Sequence, residues 1–351
     1  MHSSYLFTET YVYLGWYLLM ALMALVHCDT SALSQYLTAE IFPQLAPPPY
    51  GKLEIRPLSV QKPVYLFYER RNKLKVIGKF FGTESVPPEE AWRWAEQGYR
   101  NLQEARELYR MNDGTYRVVA PLGRNKDLAA LLVTELAPGK VLDFYLTRAI
   151  YRRESAKLFE KLTLLARFFV KLHQNSETDR QVSPELARNY LAKLLDSLQQ
   201  GPLALADRQN IERYSSKWWE AAAIFEDWEV VVHGDATPTN FVLHRHEVVG
   251  IDLDKMKYAD RCWDLGFMAA DLKHHFLWRT GDSWAAEPFI GHFLWAYASS
   301  YRGELFFRAI TRKLPLYMAL GLLRIARNPW LDEPYRIRLI KEAKRCLKYG
   351  L

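Results

Sequence analysis

The stretch His233-Gly-Asp-Ala-Thr-Pro-Thr-Asn240, HGDATPTN, is followed twelve residues later by Asp252 in VVGIDLD. A carboxylate (Asp235), a carboxamide (Asn240) and a second carboxylate (Asp252) thus fall within one short span. Upstream, Glu229, Val230, Val231 and Val232 read as a short buried strand that delivers His233 and Asp235 into a loop. Pro238 stiffens that loop, and the apolar run Phe241, Val242, Leu243 follows at once, so the backbone at Asn240 is fixed on both sides. After the polar turn from His244 to Glu247, the run Val248, Val249, Gly250, Ile251 carries Asp252 to the end of the next strand. The pattern predicts a hairpin that sets Asp252 across from the Asp235 to Asn240 loop.

Oxygen-only ligation of this kind suits magnesium, which keeps several waters and takes one or two protein carboxylates plus substrate phosphates. Phosphoryl transfer to a hydroxyl asks for a carboxylate to orient the attacking group and cations to neutralise the phosphates. On this reading Asp235 is the catalytic carboxylate, Asn240 and Asp252 are metal ligands, and His233 braces the loop. Asp254 would share the face of Asp252 if the strand continued, as a helper ligand; a solvated turn residue is the other reading. An ordinary hairpin with polar turns would account for any one of these residues, but poorly for the ordered set.

At these positions the chain resembles a known family. HGDxxxxN, then IDxD, then WDLGFMAADL from Trp263 are similar to the aminoglycoside phosphotransferase and choline kinase group of the protein-kinase-like fold. The resemblance implies that Asp235 is the catalytic base, that Asn240 and Asp252 bind Mg2+, and that Asp264 supports the catalytic loop. It extends to LLVTELAPG, Leu131 to Gly139, similar to the hinge that meets adenine through backbone groups, here at Glu135 and Ala137. It also implies a phosphate-anchoring lysine on the third strand of an N-terminal lobe. KVIGKFF offers Lys79 as the interior cation of an alternating apolar run. QEARELYRM, from Gln103, has the family-like order that favours Glu104 as its partner, with Glu96 and Glu107 as alternatives. ATP and Mg2+ are the implied cofactors. The implied acceptor is a hydroxyl of a sugar, an amino alcohol or a related metabolite.

Two features depart from the family pattern. Where kinases place a glycine-rich loop over the phosphates, this chain has Ser59, Val60, Gln61, Lys62 and Pro63. Thr237 stands where the family commonly has a histidine. The missing glycines motivate an alternative, a kinase-like nucleotide-binding scaffold with weak or no turnover. A protein kinase is disfavoured by HGD in place of HRD, IDLD in place of DFG, and the lack of an activation segment ending in APE.

The 351 residues, 49% apolar and 25% charged, suffice for two separate cores. The expected architecture is α+β and two-lobed. Residues 41–137 form a small antiparallel-sheet N-lobe that binds nucleotide, and residues 138–351 a larger, mainly helical C-lobe. Strands are expected from Leu53 to Phe81, Tyr116 to Pro121 and Leu131 to Leu136. Ser155 to Asn175 reads as a core helix, with Leu158, Leu162, Leu165, Phe169 and Leu172 at three and four spacing, and Pro184 to Leu198 as a second helix. The resemblance assigns the late helices to the acceptor pocket. There Lys273, His274, His275, Trp278, Trp284, His292, Trp295 and Tyr297 mix basic and aromatic groups, with helix packing as the plainer reading of each.

Residues 1–40 stand apart. From Thr10 to Cys28 there is no Asp, Glu, Lys or Arg, and the run is almost wholly apolar. Contact with a membrane and packing against the N-lobe both fit, so a membrane-associated kinase of a lipid headgroup or glycolipid sugar is a further alternative. The net charge of +7 is concentrated at the C-terminus, where residues 301–351 hold twelve Lys or Arg against four Asp or Glu. That surface suits an anionic lipid or phosphorylated substrate and argues against a cationic aminoglycoside; nucleic acid is not expected as a partner. Cys28, Cys262 and Cys346 have no metal or redox spacing, which with ATP dependence points to the cytoplasm.

Overall fold

The structure, a computed structural model, describes residues 29–59, 63–221 and 225–350. The chain divides into two compact units, Met1–Glu107 with Val118–Ala137 and Leu108–Arg117 with Pro138–Leu351.

In the first unit, strands β1 (Leu53–Pro57), β2 (Val64–Glu69), β3 (Leu74–Phe80), β5 (Pro121–Asn125) and β6 (Leu131–Glu135) form an antiparallel sheet in the order β1-β2-β3-β6-β5. The period-two pattern decides which face is covered: Tyr65 and Phe67 on β2 and Val76 and Phe80 on β3 are buried, while Lys79 projects to the other face and is half-buried. Glu69 closes the β2–β3 turn, its carboxylate accepting from the backbone N–H groups of Arg71 and Asn72 at 2.7 Å each. Helix α2 (Pro88–Glu107) lays Ala91, Ala95, Leu102 and Ala105 inward and packs on β5 and β6.

Asp29 caps helix α1 (Thr30–Tyr36), accepting from Ser31 N at 2.8 Å, and a π-helical turn Leu37–Ile41 continues it. Leu33, Tyr36, Leu37, Ile41 and Phe42 join Phe67, Phe80 and Val133 in one core. The charge-free run from Thr10 to Cys28 lies outside the described residues, as does most of the glycine-poor loop (60–62). Among the described residues no helix is long and apolar enough to cross a membrane.

The second unit is mainly helical. Strands β4 (Tyr116–Val118), β7 (Lys140–Val141), β9 (Phe241–His244) and β10 (Glu247–Gly250) make a sheet in the order β4-β10-β9-β7, and β8 (Val230–Val232) pairs with β11 (Lys257–Ala259). Its helices are α3 (Leu142–Arg152), α4 (Ser155–Asn175), α5 (Glu185–Gln199), α6 (Leu205–Glu220), α7 (Cys262–Thr280), α8 (Glu287–Ala298), α9 (Glu304–Ala326) and α10 (Glu333–Tyr349). In α4 the five expected core residues are all fully buried. Helices α7 and α9 approach closely because Gly266 and Gly321 face the contact. A Cβ on Gly266 would sit 2.3 Å from Tyr317 Cβ, and one on Gly321 2.6 Å from Ala270 Cβ. A buried ionic cluster ties α9 to the start of α7: Lys313 donates to Asp227 at 2.8 Å and Asp260 at 2.7 Å, and Arg261 bonds Asp227 and Glu177.

Two local expectations change. The strand expected from Tyr116 to Pro121 is two strands, because β4 ends at Val118 and Pro121 opens β5. The strand carrying Asp252 stops at Gly250. Asp252 has φ +63°, a left-handed conformation that ends any strand, and Asp254 sits in the following turn, so the two do not share a strand face.

Candidate active site

The three valines of β8 are buried and paired to β11, with Val232 opposite Lys257, so the chain emerges at His233 in a fixed direction. Gly234 then takes φ +80°, and a Cβ there would lie 2.0 Å from the carbonyl oxygen of Lys255, which only glycine tolerates. Asp264, wholly buried in the first turn of α7, clamps this bend. Its Oδ2 accepts from His233 N at 2.7 Å and its Oδ1 from Gly234 N at 3.0 Å. His173 at the end of α4 reaches Asp264 Oδ2 from Nε2 at 3.3 Å, while its Nδ1 meets Tyr297 Oη at 2.8 Å. Burial holds His173 below the ordinary histidine range, against the pull of Asp264.

His233 bridges two segments. Asp235 N donates to its Nδ1 at 3.4 Å, so its Nε2 carries the proton and donates to Ile251 O at 3.0 Å. Past Asp235, the turn Pro238–Asn240 brings Asn240 back, and its Nδ2 donates to Asp235 O at 2.9 Å. Ile251 N donates to Asn240 O at 3.0 Å, which sets Asn240 beside the approach to Asp252. With Nδ2 committed, the donor atom remaining on the Asn240 side chain is its oxygen. Among the described residues no three His, Cys, Asp or Glu side chains cluster to hold a metal. Asn240, Asp252 and Asp254 can each offer a side-chain oxygen, the ligand chemistry of a hard cation.

The carboxylate of Asp235 has two cationic partners. Arg324, on α9, donates from Nη1 to Oδ1 at 2.6 Å, and Lys255 donates from Nζ to Oδ2 at 2.9 Å. Burial raises the Asp235 pKa, but Arg324 and Lys255 outweigh it and hold the carboxyl below the ordinary range. The other side of the Arg324 guanidinium meets Asp271 Oδ2 at 2.5 Å. Burial pushes Asp271 up to about 7 against the attraction of that arginine. Beside this group Tyr190 of α5 packs on Trp263 with centroids 5.1 Å apart, and Lys257 Nζ lies 3.5 Å from the Trp263 ring centroid.

Asp235, Asn240, His233 and Asp264 are thus joined by direct hydrogen bonds, as the sequence reading groups them. In the first unit, Lys79 Nζ lies 4.7 Å from the Phe81 ring centroid and its residue pairs in register with Leu132. Glu104 is solvent-exposed, whereas Glu96 on the same helix is half-buried and bonded to Arg124. Glu135 ends β6 and exchanges backbone and side-chain bonds with Ala120, and Ala137 is half-buried. The sequence reading missed Arg324 and Asp271. For Arg324 a signal existed, as it is the one charge in the run LPLYMALGLLRIA. Among the late-helix candidates Lys273 pairs with Glu287, His274 with Tyr335 and His292 with Thr163, whereas Trp278, Trp284 and Trp295 are exposed.

The fold has many structural relatives. A choline/ethanolamine kinase family protein from Mesorhizobium loti superposes with a TM-score of 0.56 at 15% identity, covering 91% of this chain and 99% of its own. The gentamicin complex of aminoglycoside phosphotransferase APH(2″)-IIa gives 0.56 at 15%, covering 90% and 95%. Plasmodium vivax ethanolamine kinase gives 0.53 at 12%, covering 85% and 81%. These likenesses establish the two-lobed kinase-like fold. No curated protein matches the sequence significantly. The profile of the phosphotransferase enzyme family, APH, matches residues 85–305, well over half of the chain and the whole span from α2 through the HGDATPTN loop to α8. The chain therefore belongs to the phosphotransferase enzyme family.

Proposed function

We propose that the enzyme transfers the γ-phosphoryl group of ATP, with Mg2+, to a hydroxyl of a small molecule. The observation that carries this reading is the anchoring of the His233 to Asn240 loop. Asp264 fixes its backbone at two successive amides, and Asn240 closes on the carbonyl of Asp235. Positioning is most of what phosphoryl transfer requires of a protein, because bonding to the transferred group is loose in the transition state.

In this reading Asp235 accepts a hydrogen bond from the attacking hydroxyl and takes its proton late. The low pKa that Arg324 and Lys255 confer suits that role, since a charged, oriented acceptor matters more here than a strong base. Asn240 and Asp252, with Asp254 as a helper, would hold magnesium, which when bound neutralises charge on the phosphates. Lys79, partnered by Glu104, would anchor phosphates, and Glu135 and Ala137 would meet adenine. Support for a nucleotide donor comes from structural relatives, an ADP-bound aminoglycoside phosphotransferase and an amicoumacin kinase in complex with AMP-PNP and Ca2+. Use of ATP implies a cytoplasmic location.

A second reading, a nucleotide-binding scaffold without turnover, draws on the engagement of both Asp235 oxygens by protein cations. One experiment separates the two. Turnover of ATP should be detected across a panel of hydroxyl compounds, and Asp235→Asn should abolish transfer while Mg-ATP affinity stays within a few-fold. Transfer retained in Asp235→Asn would sink the mechanism; nucleotide binding with no transfer in the native protein would favour the scaffold.

A further inference from the structure

We infer that the acceptor is an anionic hydroxyl compound, one that carries a phosphate or a carboxylate beside the hydroxyl to be phosphorylated. The inference rests on the phosphotransferase reading of Asp235 and adds the class of its substrate.

The acceptor hydroxyl must reach Asp235, so the charges around that side chain select what can approach. Two carboxylates near it could receive an ammonium group, Asp235 and Asp271, and both are already held by the same guanidinium. Asp235 is held by Lys255 as well. The third, Asp264, is wholly buried and spent on backbone amides. A cationic acceptor would therefore have to displace a protein cation from a charge-assisted hydrogen bond.

With Asp252 and Asp254 assigned to the metal, the cations around Asp235 outnumber the carboxylates left for an acceptor. Lys257 Nζ lies 3.5 Å from the Trp263 ring centroid and 5.9 Å from that of Tyr190, and Lys193 follows Tyr190 by one turn on α5. Lys193 on α5 and Arg327, one turn beyond Arg324, are exposed, and among the described residues neither makes an ion pair. Arg324 Nε is buried and has no hydrogen-bond partner, a guanidinium donor still to be satisfied. Tyr190, half-buried and packed on the buried Trp263, supplies aromatic surface alongside, suited to the apolar face of a sugar ring. A surplus of positive charge beside an aromatic ring attracts and orients an anion and repels an amine.

The test compares acceptors that share a skeleton and differ in charge: glucose, glucosamine, glucuronate and glucose 6-phosphate, and glycerol, glycerate and glycerol 3-phosphate beside ethanolamine. ATP turnover is measured with Mg2+ at constant ionic strength. At least one anionic member should exceed its neutral and amine counterparts about tenfold in kcat/KM, and the phosphate and carboxylate arms identify which anion is read. In Lys193→Gln/Lys257→Gln that preference should shrink about tenfold, mainly through KM, and Lys193→Arg/Lys257→Arg should restore it; thermal melts establish that the variants fold. A preference for glucosamine or ethanolamine, or a ratio that the Gln variant leaves unmoved, overturns the inference. Binding of glucose, glucose 6-phosphate, glucuronate and inorganic phosphate to the Mg-ADP-loaded protein is measured in parallel by calorimetry. Anions that bind no better than glucose overturn the inference while leaving the phosphotransferase reading intact. Selective anion binding without turnover of any acceptor supports the inference and counts against that reading.

Discussion

Arg324 spans two carboxylates, with Nη1 2.6 Å from Asp235 Oδ1 and Nη2 2.5 Å from Asp271 Oδ2. One guanidinium from α9 thus joins the HGDATPTN loop to α7. Removing it leaves buried Asp271 without a cationic partner and Asp235 with Lys255 alone. Arg324→Met should cost about 3–5 kcal/mol of stability, the usual consequence of breaking a buried pair from one side. Adding Asp271→Leu should restore part of that loss, because the orphaned carboxyl is then gone. A double-mutant cycle by urea unfolding should show a coupling of at least about 1 kcal/mol. Strictly additive losses would show that the two groups are near each other without depending on each other.

Asp264 is the other fixed point of the loop. Asn at this position keeps one carbonyl oxygen but turns an NH2 group toward a backbone N–H, so one of the two bonds at 2.7 and 3.0 Å becomes a donor facing a donor. Asp264→Asn should lose about 2–4 kcal/mol and lower kcat at least about tenfold, since the loop that presents Asp235 is no longer pinned. Urea unfolding and steady-state kinetics check both. A variant with native stability and native kcat would show that other contacts hold the loop.

How far such features can be read from sequence depends on how they are held. HGDATPTN, the β9–β10 hairpin and Asp264 fall within 32 residues, and the course of the chain there follows from short apolar runs and a proline between them. Strand face and turn both stay open for Asp254 in the sequence, because nothing in VVGIDLD announces that Asp252 turns left-handed; the structure puts Asp254 in a turn. Arg324 is 89 residues from Asp235, and only the close packing of α7 on α9 brings it there. Its isolation in an apolar run indicates burial without naming a partner. The order E-A-x-x-L favours Glu104, yet the helix exposes it and turns Glu96 toward Arg124, because side-chain direction depends on how α2 sits on the sheet.

The site should also mark the pH dependence of stability. Burial pushes Lys257 down to about 8 from an ordinary value of 10.5. Between those values the unfolded chain binds a proton that the folded chain has lost, so this group makes stability rise with pH in that window; below it both states carry the proton. The gain should be about 1–3 kcal/mol once partial exposure is allowed for. Lys257→Gln lacks the titrating group, so native-minus-variant unfolding free energy should climb from pH 7.5 to 10.5. A flat difference would mean that Lys257 stays protonated in the folded protein.

Gly234 tests whether the bend itself is required. At φ +80° alanine carries the left-handed penalty of about 1 kcal/mol, and its Cβ would fall 2.0 Å from Lys255 O. Backbone cannot yield as a flexible side-chain tip can, so the chain must shift either at Lys255 or at the loop. The first shift moves the amine that bonds Asp235 Oδ2; the second breaks the bond from Gly234 N to Asp264. Either way the carboxylate is re-aimed. Gly234→Ala should therefore lose at least about 2 kcal/mol in urea unfolding and reduce kcat/KM at least about 100-fold, since small displacements of a positioning group are costly. Native kinetics in a folded Gly234→Ala protein would show that the loop tolerates re-aiming, and with it that the clamp from Asp264 is not what sets the direction of Asp235.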